Sequence, residues 1–327
     1  MSVLDAHSVT AHGIEAIDPQ TLGQDELIAQ GWERLAIEAE TCLRAARTLG
    51  IEQASVPPDF PIFFADYFRA AGIELTIDED EFVQRRRVKS AAELEGIRRA
   101  QKAADAAMGV ARSLIHELRD GLTSEDVRAA MAAVCEEHGC ELSDDAIVSH
   151  GPQSAIGHDS GSGAIGRGEP VVVDIWPRDK ASRCYADMTR TFVAGGGEPP
   201  AELAEYHRLT QDSLRRVYAA LRPGANGRTL FEVSAEPYIE AGHPTQLTKE
   251  PGTVLEDGYF HGLGHGVGLE VHERPFMGRL GDDLVAGEVV TVEPGCYRRG
   301  FGGCRLEDLV LVTEDGYEII TDFPYDL

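Results

Sequence analysis

Acidic residues recur at matched places in two stretches of this chain. Gly168–Asp174 reads G-E-P-V-V-V-D and Gly287–Glu293 reads G-E-V-V-T-V-E. A second acid follows each, Asp187 in Cys184-Tyr-Ala-Asp187 and Glu307 in Cys304-Arg-Leu-Glu307. Asp174 precedes Glu293 by 119 residues, and Asp187 precedes Glu307 by 120. Each copy reads as a Val-rich strand ending in a carboxylate, a turn, and a return strand with another. Strands of one hairpin lie about 4.8 Å apart, so two acids on one face can grip a single ion. Asp174 and Glu293 end apolar runs of the kind found in buried strands, where an unpaired carboxylate is costly. Four such groups buried together need cations to neutralise them. The chemistry implied is a two-metal centre.

The second signal is His261-Gly-Leu-Gly-His265-Gly-Val-Gly-Leu-Glu-Val-His272-Glu273. Glycines on both sides of His265 are expected to let the backbone approach an ion closely. The alternation over Leu269–Glu273 predicts a strand that carries His272 along the same wall. One imidazole beside four carboxylates suits Mn²⁺, Fe²⁺, Co²⁺ or Zn²⁺, whereas Ca²⁺ or Mg²⁺ would need no imidazole. Arg305 stands two residues before Glu307, on the same predicted strand face, and is expected to orient the ligands. His7, His12, His116, His138, His150, His207 and His243 read as surface or packing residues.

The elements around these residues also repeat. Leu118-Arg-Asp-Gly121-Leu-Thr123 matches Leu221-Arg-Pro-Gly224-Ala-Asn226 at an offset of 103, and His158 falls opposite His261 at the same offset. A period near 100 residues is too long for a solenoid, whose repeats run about 20–50 residues. It implies two half-domains about a pseudo-two-fold axis, with the site at their seam. Helices are predicted from the capping boxes at Ser90 and Thr123 and near Leu203–Leu221 and Thr229–Ala241. Strands are predicted at Ala146–Ser149, Pro170–Ile175, Ala186–Val193, Glu288–Val292 and Leu306–Thr313. The class is α+β, with helices outside a curved, mostly antiparallel sheet. Residues 1–85 stand outside the repeat as a small α/β unit. In it, a helix over Gln24–Leu49, a strand at Ala54–Val56, a helix at Ile62–Ala71 and a strand at Ile73–Ile77 are expected. The repeat domain then covers 86–327.

Thirty basic residues against 56 acidic ones give a formal charge of −26, which repels nucleic acid and anionic membrane surfaces. Neither a run of about 18 apolar residues nor a signal-peptide layout is present in the sequence. The six cysteines form no C-x-x-C pair and suit reduced thiols in a cytoplasm. Cys184 and Cys304, at matching repeat positions, read as small packing residues.

Taken together, Asp174, Asp187, His265, Glu293 and Glu307 resemble the ligand set of the pita-bread (M24) metallopeptidases. The supporting text is Gly151-Pro-Gln-Ser-Ala-Ile-Gly-His158, Ala186-Asp-Met-Thr-Arg-Thr191, Gly264-His-Gly-Val-Gly268, Val271-His-Glu273, Glu293-Pro-Gly295 and Arg305-Leu-Glu-Asp308. Asp187-Met-Thr-Arg-Thr and His272-Glu273 are similar to the Xaa-Pro dipeptidase and Xaa-Pro aminopeptidase branch. The resemblance implies a pita-bread fold preceded by a shortened creatinase-type N-terminal domain, and a cytoplasmic homodimer. It implies two divalent ions, Mn²⁺ first with Co²⁺ or Zn²⁺ as alternatives, bridged by a hydroxide. Asp174 would bind one ion, His265 and Glu293 the other, and Asp187 and Glu307 both. Glu293 would shuttle a proton, His272 and His261 would polarise the scissile carbonyl, and His158 would contact substrate near the proline. The substrates implied are proline-containing dipeptides or short peptides. An aminopeptidase on longer peptides is the alternative, and a non-peptide C–N hydrolase of the same fold a remoter one. One departure is local: Asp174-Ile-Trp176-Pro177 stands where the family has Asp-x-Gly, and Trp176 either shapes the entrance or packs the turn.

Overall fold

A computed structural model describes residues 16–327, in two compact units that divide after Arg85. In the first unit, helices α1 (Gln24–Ala29) and α2 (Arg34–Thr48) replace the single helix expected over Gln24–Leu49. The break falls at Gly31, whose φ of 75° no α-helix accommodates. Strand β1 (Gln53–Val56), helix α3 (Ile62–Ala70) and strand β2 (Glu74–Ile77) follow, and the two strands pair in parallel. His7 and His12 lie outside the described residues.

The second unit runs from Arg86 to Leu327. Its first half opens with helices α4 (Ala91–Glu117) and α5 (Ser124–Glu137). Both expected capping boxes form, Ser90 with Glu93 and Thr123 with Asp126. Five strands follow: β3 (Cys140–Glu141), β4 (Ile147–His150), β5 (Pro170–Ile175), β6 (Arg178–Asp179) and β7 (Met188–Val193). Strand β5 lies between β4 and β7, antiparallel to both, with Asp174 in register with Ile147 on one side and Thr189 on the other. The second half repeats the plan with helices α6 (Ala201–Ala220) and α7 (Gly227–Glu240). Seven strands complete it: β8 (Gly264–Gly266), β9 (Glu273–Met277), β10 (Val289–Val292), β11 (Gly295–Arg298), β12 (Gly302–Arg305), β13 (Asp308–Val312) and β14 (Tyr317–Ile319). Their five-stranded sheet runs β14-β13-β10-β8-β9. An apolar core lies beneath each helix pair, one around Met108, Val127 and Val173 with Val267, Val289 and Leu309 from the second half, the other around Leu214, Phe231 and Val292 with Val193 from the first.

Three expectations need correction. Leu269–Glu273 is a chain of bends, and the strand begins only at Glu273. Strand β8, which carries His265, was not foreseen, because three residues rich in glycine offer no periodicity to read. The second hairpin is also not a simple copy of the first, since a two-stranded ribbon (β11 with β12) fills its turn.

The halves meet where Thr189 and Glu307 form an antiparallel bridge, the Glu307 N–H donating to the Thr189 carbonyl at 3.0 Å. Arg190 lies beside this seam, fully buried, and all five of its N–H bonds find acceptors. They reach the carbonyls of Thr189, Glu307, Phe323 and Pro324 and the Oδ1 of Asp308, at 2.7–2.9 Å. Asp308 Oδ2 in turn accepts from the hydroxyls of Tyr218 and Tyr325. Removing one partner of a buried ion pair strands the other's charge at a cost of about 3–5 kcal/mol. Asp308→Asn is therefore expected to lower unfolding stability by about that much in urea titration. A loss under about 1 kcal/mol would show that the seam does not depend on this pair.

Candidate metal centre

The turn ends of the two hairpins face each other across the seam. Asp174 ends the buried run of β5, and Asp187 sits just before β7. Glu293 follows β10, and Glu307 sits just before β13. His265 arrives from β8, which pairs with β10. Ligand atoms of Asp187, His265 and Glu307 all lie within 4.8 Å of one another. His265 Nε2 is 3.5 Å from Glu293 Oε1 and 3.8 Å from Asp187 Oδ2. These five residues line one cavity of about 810 Å³ together with His158, His261, His272, Arg305 and Trp176.

The glycines beside His265 act differently from expectation. A Cβ at Gly264 would fall 2.2 Å from the Thr291 carbonyl oxygen, and one at Gly266 would fall 2.3 Å from that of Arg274. They allow β8 to close on its neighbouring backbone, which sets where His265 stands, rather than freeing room beside an ion. Thr291 reinforces the placement by accepting from the His265 N–H at 3.1 Å.

His265 Nδ1 lies 3.1 Å from the Gly266 carbonyl and can only donate to it, which leaves the Nε2 lone pair facing the acids. Burial, and then neighbouring His272, push its pKa down to about 3, so the imidazole is neutral and its short distances to carboxylates are not ion pairs. His261 is held neutral at about 3 by burial and then by Arg305. Its two nitrogens are both engaged, with the Gly262 carbonyl at 2.8 Å and the Tyr297 hydroxyl at 2.9 Å. His158 and His272 are exposed in the cavity, and burial and then His158 lower the pKa of His272.

Arg305 reaches Glu307 only through Thr189, to whose hydroxyl its Nε donates at 3.2 Å. Its Nη2 donates to Asp174 Oδ2 at 2.6 Å, on the opposite hairpin, and its Nη1 donates to the Tyr297 hydroxyl at 3.0 Å. Glu307 is instead held by Thr189, whose hydroxyl donates to Oε2 at 2.7 Å. Sequence reasoning missed Thr189, Thr291 and Tyr297, since no spacing marks a hydroxyl that reaches across strands. His150 pairs with Glu169 at 2.7 Å, His207 bonds the Tyr325 carbonyl, and His116 and His243 pack edge-on against Phe192 and Tyr206. His138 bonds the Val134 carbonyl in its own helix. Cys184 and Cys304 are buried thiols, one in each core.

The electrostatics point one way. Burial, then the charges of Glu307 and Asp174, hold the Asp187 carboxyl well above its ordinary range. Burial, then Glu293 and Asp174, do the same to Glu307. Glu293 rises to about 7, driven by burial and by Asp174, with Arg305 opposing. Asp174 Oδ1 and Asp187 Oδ1 are buried and accept no hydrogen bond. Orphaned anionic oxygens beside a neutral imidazole nitrogen are the donor set a divalent cation takes.

The duplicated α+β fold carries a carboxylate–imidazole cluster at its seam. The description of metallopeptidase family M24 matches residues 95–314, and the chain belongs to that family. It is 32% identical over 246 residues to the Xaa-Pro dipeptidase of Pyrococcus furiosus, covering 74% of this chain and 65% of that protein. It is 32% identical over 261 residues to a probable dipeptidase, PepE, of Mycobacterium tuberculosis, covering 79% and 64%. The chain thus spans somewhat under two thirds of these relatives' length. Among solved structures it is similar to the prolidase from Pyrococcus furiosus (TM-score 0.74, 29% identity, 84% of this chain and 77% of that one). The X-Pro aminopeptidase from Thermotoga maritima is also similar (TM-score 0.78, 28% identity, 88% and 78%). The fold is that of the pita-bread proteins.

A carboxyl whose folded pKa is raised holds its proton in the native state while the unfolded chain has already ionised. Its contribution to stability is then lost as pH rises from the unfolded value near 4.5 towards the folded one, about 7 for Glu293. Metal-stripped protein should therefore lose on the order of 1–3 kcal/mol between pH 5 and pH 7.5 in denaturant titrations. Added Mn²⁺ should stabilise more at the higher pH. A metal-stripped protein equally stable at both pH values would contradict the buried-acid picture.

Proposed function

We propose that this chain is a metal-dependent exopeptidase that hydrolyses the bond between an N-terminal residue and proline, acting first as an Xaa-Pro dipeptidase. The observation that carries the proposal is the convergence of four carboxylates and a neutral imidazole on one cavity, two of the carboxylate oxygens buried without partners. Choice of the Xaa-Pro bond rests on the relatives named Xaa-Pro dipeptidase and prolidase.

Asp174 would hold one cation, His265 with Glu293 the other, and Asp187 and Glu307 both; Mn²⁺ is assigned because the donor set is rich in oxygen. Two such cations, when bound, supply Lewis acidity and lower the pKa of a water held between them. Arg305 keeps one oxygen of Asp174 occupied, which turns the other towards the site. Thr189 does the same for Glu307. Glu293, the least enclosed of the four acids, takes the proton of the attacking water and passes it to the leaving proline nitrogen. His272, open to the cavity, donates to the carbonyl oxygen, and His158, also open to it, contacts the proline side. His261 supports the carbonyl side through Tyr297 and Arg305. We further assign residues 1–85 as a shortened N-terminal domain of the creatinase type, and the protein as a cytoplasmic homodimer.

An aminopeptidase on longer peptides is the second reading. A cleft of about 430 Å³ that shares Phe260, His261, Gly262, Gly264 and Phe276 with the main cavity favours it, by offering room past a dipeptide.

The test is metal-stripped protein with and without Mn²⁺ on Ala-Pro, Ala-Pro-Ala and Met-Ala-Ala. Metal-dependent cleavage of Ala-Pro alone supports the dipeptidase, and cleavage of Ala-Pro-Ala shifts the assignment to aminopeptidase. No cleavage of either proline peptide would refute the proposal. Glu293→Gln is expected to lower kcat by about 10²–10⁴-fold, the usual worth of a positioned acid–base group.

A further inference from the structure

We propose that Asp145 selects a basic residue, lysine or arginine, before the scissile bond; the inference rests on the Xaa-Pro peptidase reading above. Asp145 lines the main cavity but stands apart from the acid cluster. It is exposed, and its carboxylate has no hydrogen-bond or ion-pair partner; only its backbone N–H is used, donating to Ser143 Oγ at 3.3 Å. Arg305 is the one Lys or Arg side chain among the described residues lining the cavity, and it is spent on Asp174 and Tyr297. Nothing within the cavity competes for Asp145.

Strand register shows what would reach it. Ile147 lies opposite Asp174 in the β4–β5 pair. Asp145 lies in the turn just before β4 and Trp176 just after β5, and both line the cavity. Asp145 thus enters the cavity from the turn before β4, apart from the acids that β5 and β10 bring to the cluster. A substrate's α-ammonium is only about 2.5 Å from the scissile carbonyl carbon, given backbone bond lengths, and must stay among the clustered acids. A lysine or arginine side chain carries its charge on a stem of three or four carbons, beyond the acids that hold the α-ammonium. Ile147 and the half-buried Trp176 supply an apolar wall for that stem. The indole face adds attraction for a cation. An aspartate, an indole and an isoleucine on one wall suit a long cationic side chain better than a small or acidic one.

The experiment compares kcat/KM of Mn²⁺-loaded protein on Arg-Pro, Ala-Pro and Glu-Pro, in low and high NaCl. Wild type is expected to favour Arg-Pro over Ala-Pro by about 5–10-fold, mostly through KM, with Glu-Pro last. The preference should shrink as salt screens the pair. Asp145→Asn should bring the Arg-Pro to Ala-Pro ratio near one, and Asp145→Lys should reverse the order in favour of Glu-Pro, a gain that misfolding cannot produce. Equal kcat/KM on all three peptides in wild type, or an Arg-Pro preference that survives Asp145→Asn, overturns the selectivity. Cleavage of no Xaa-Pro peptide overturns the underlying activity instead, so the two failures are told apart.

Discussion

Negative charge concentrated in a dry seam is the constraint on which the rest of this structure turns. Two like charges about 4 Å apart repel by about 4 kcal/mol at the effective dielectric of a protein. Asp174, Asp187 and Glu307 are all under a tenth exposed, and Glu293 joins them. One guanidinium, that of Arg305, answers Asp174, and no other Lys or Arg among the described residues lines the cavity. The remaining charge is relieved either by protons, which the raised carboxyls would hold, or by cations. Carboxyls kept protonated would be poor ligands and poor bases, so the cluster becomes useful when cations replace the protons.

The duplication explains how a chain can carry such a cluster and still fold. Each half has its own helix pair over an apolar core, and each core borrows from the other half: Val267, Val289 and Leu309 pack into the first and Val193 into the second. Polar but fully satisfied contacts add to this apolar packing between the halves: the Thr189–Glu307 bridge and the Arg190 fork onto Asp308 and four carbonyls. The two copies also diverge where chemistry requires. Arg305 stands at the repeat position that Tyr185 holds in the first half, and only the arginine reaches across to the opposite hairpin's aspartate. The imidazole placed against the acids, that of His265, comes from the second half alone, through β8. An exact repeat would give a symmetric cluster of acids; these departures make its two sides unlike.

Much of this was legible in the sequence, because the repeat marks it twice. Matched acids after Val-rich runs revealed both hairpins, the capping boxes at Ser90 and Thr123 marked helix starts, and glycines flagged His265. The five residues so marked do line one cavity. What stayed hidden was tertiary. Gly264 and Gly266 answer neighbouring carbonyls, which no local pattern reveals. Arg305 serves Asp174, 131 residues away, rather than Glu307 two residues on. Thr189, Thr291 and Tyr297 each hold a site residue by one hydroxyl, and Asp145 meets the cavity only because β4 pairs with β5. The Gln24–Leu49 helix was read as continuous because its apolar spacing persists across Gly31.

The most direct test is calorimetric titration of metal-stripped protein with Mn²⁺ at pH 7, read for stoichiometry. Four carboxylates and one imidazole arranged in this way should take up two ions per chain. A single ion, or none at millimolar Mn²⁺, would contradict the account, because protons would then do part or all of the neutralising it assigns to two cations.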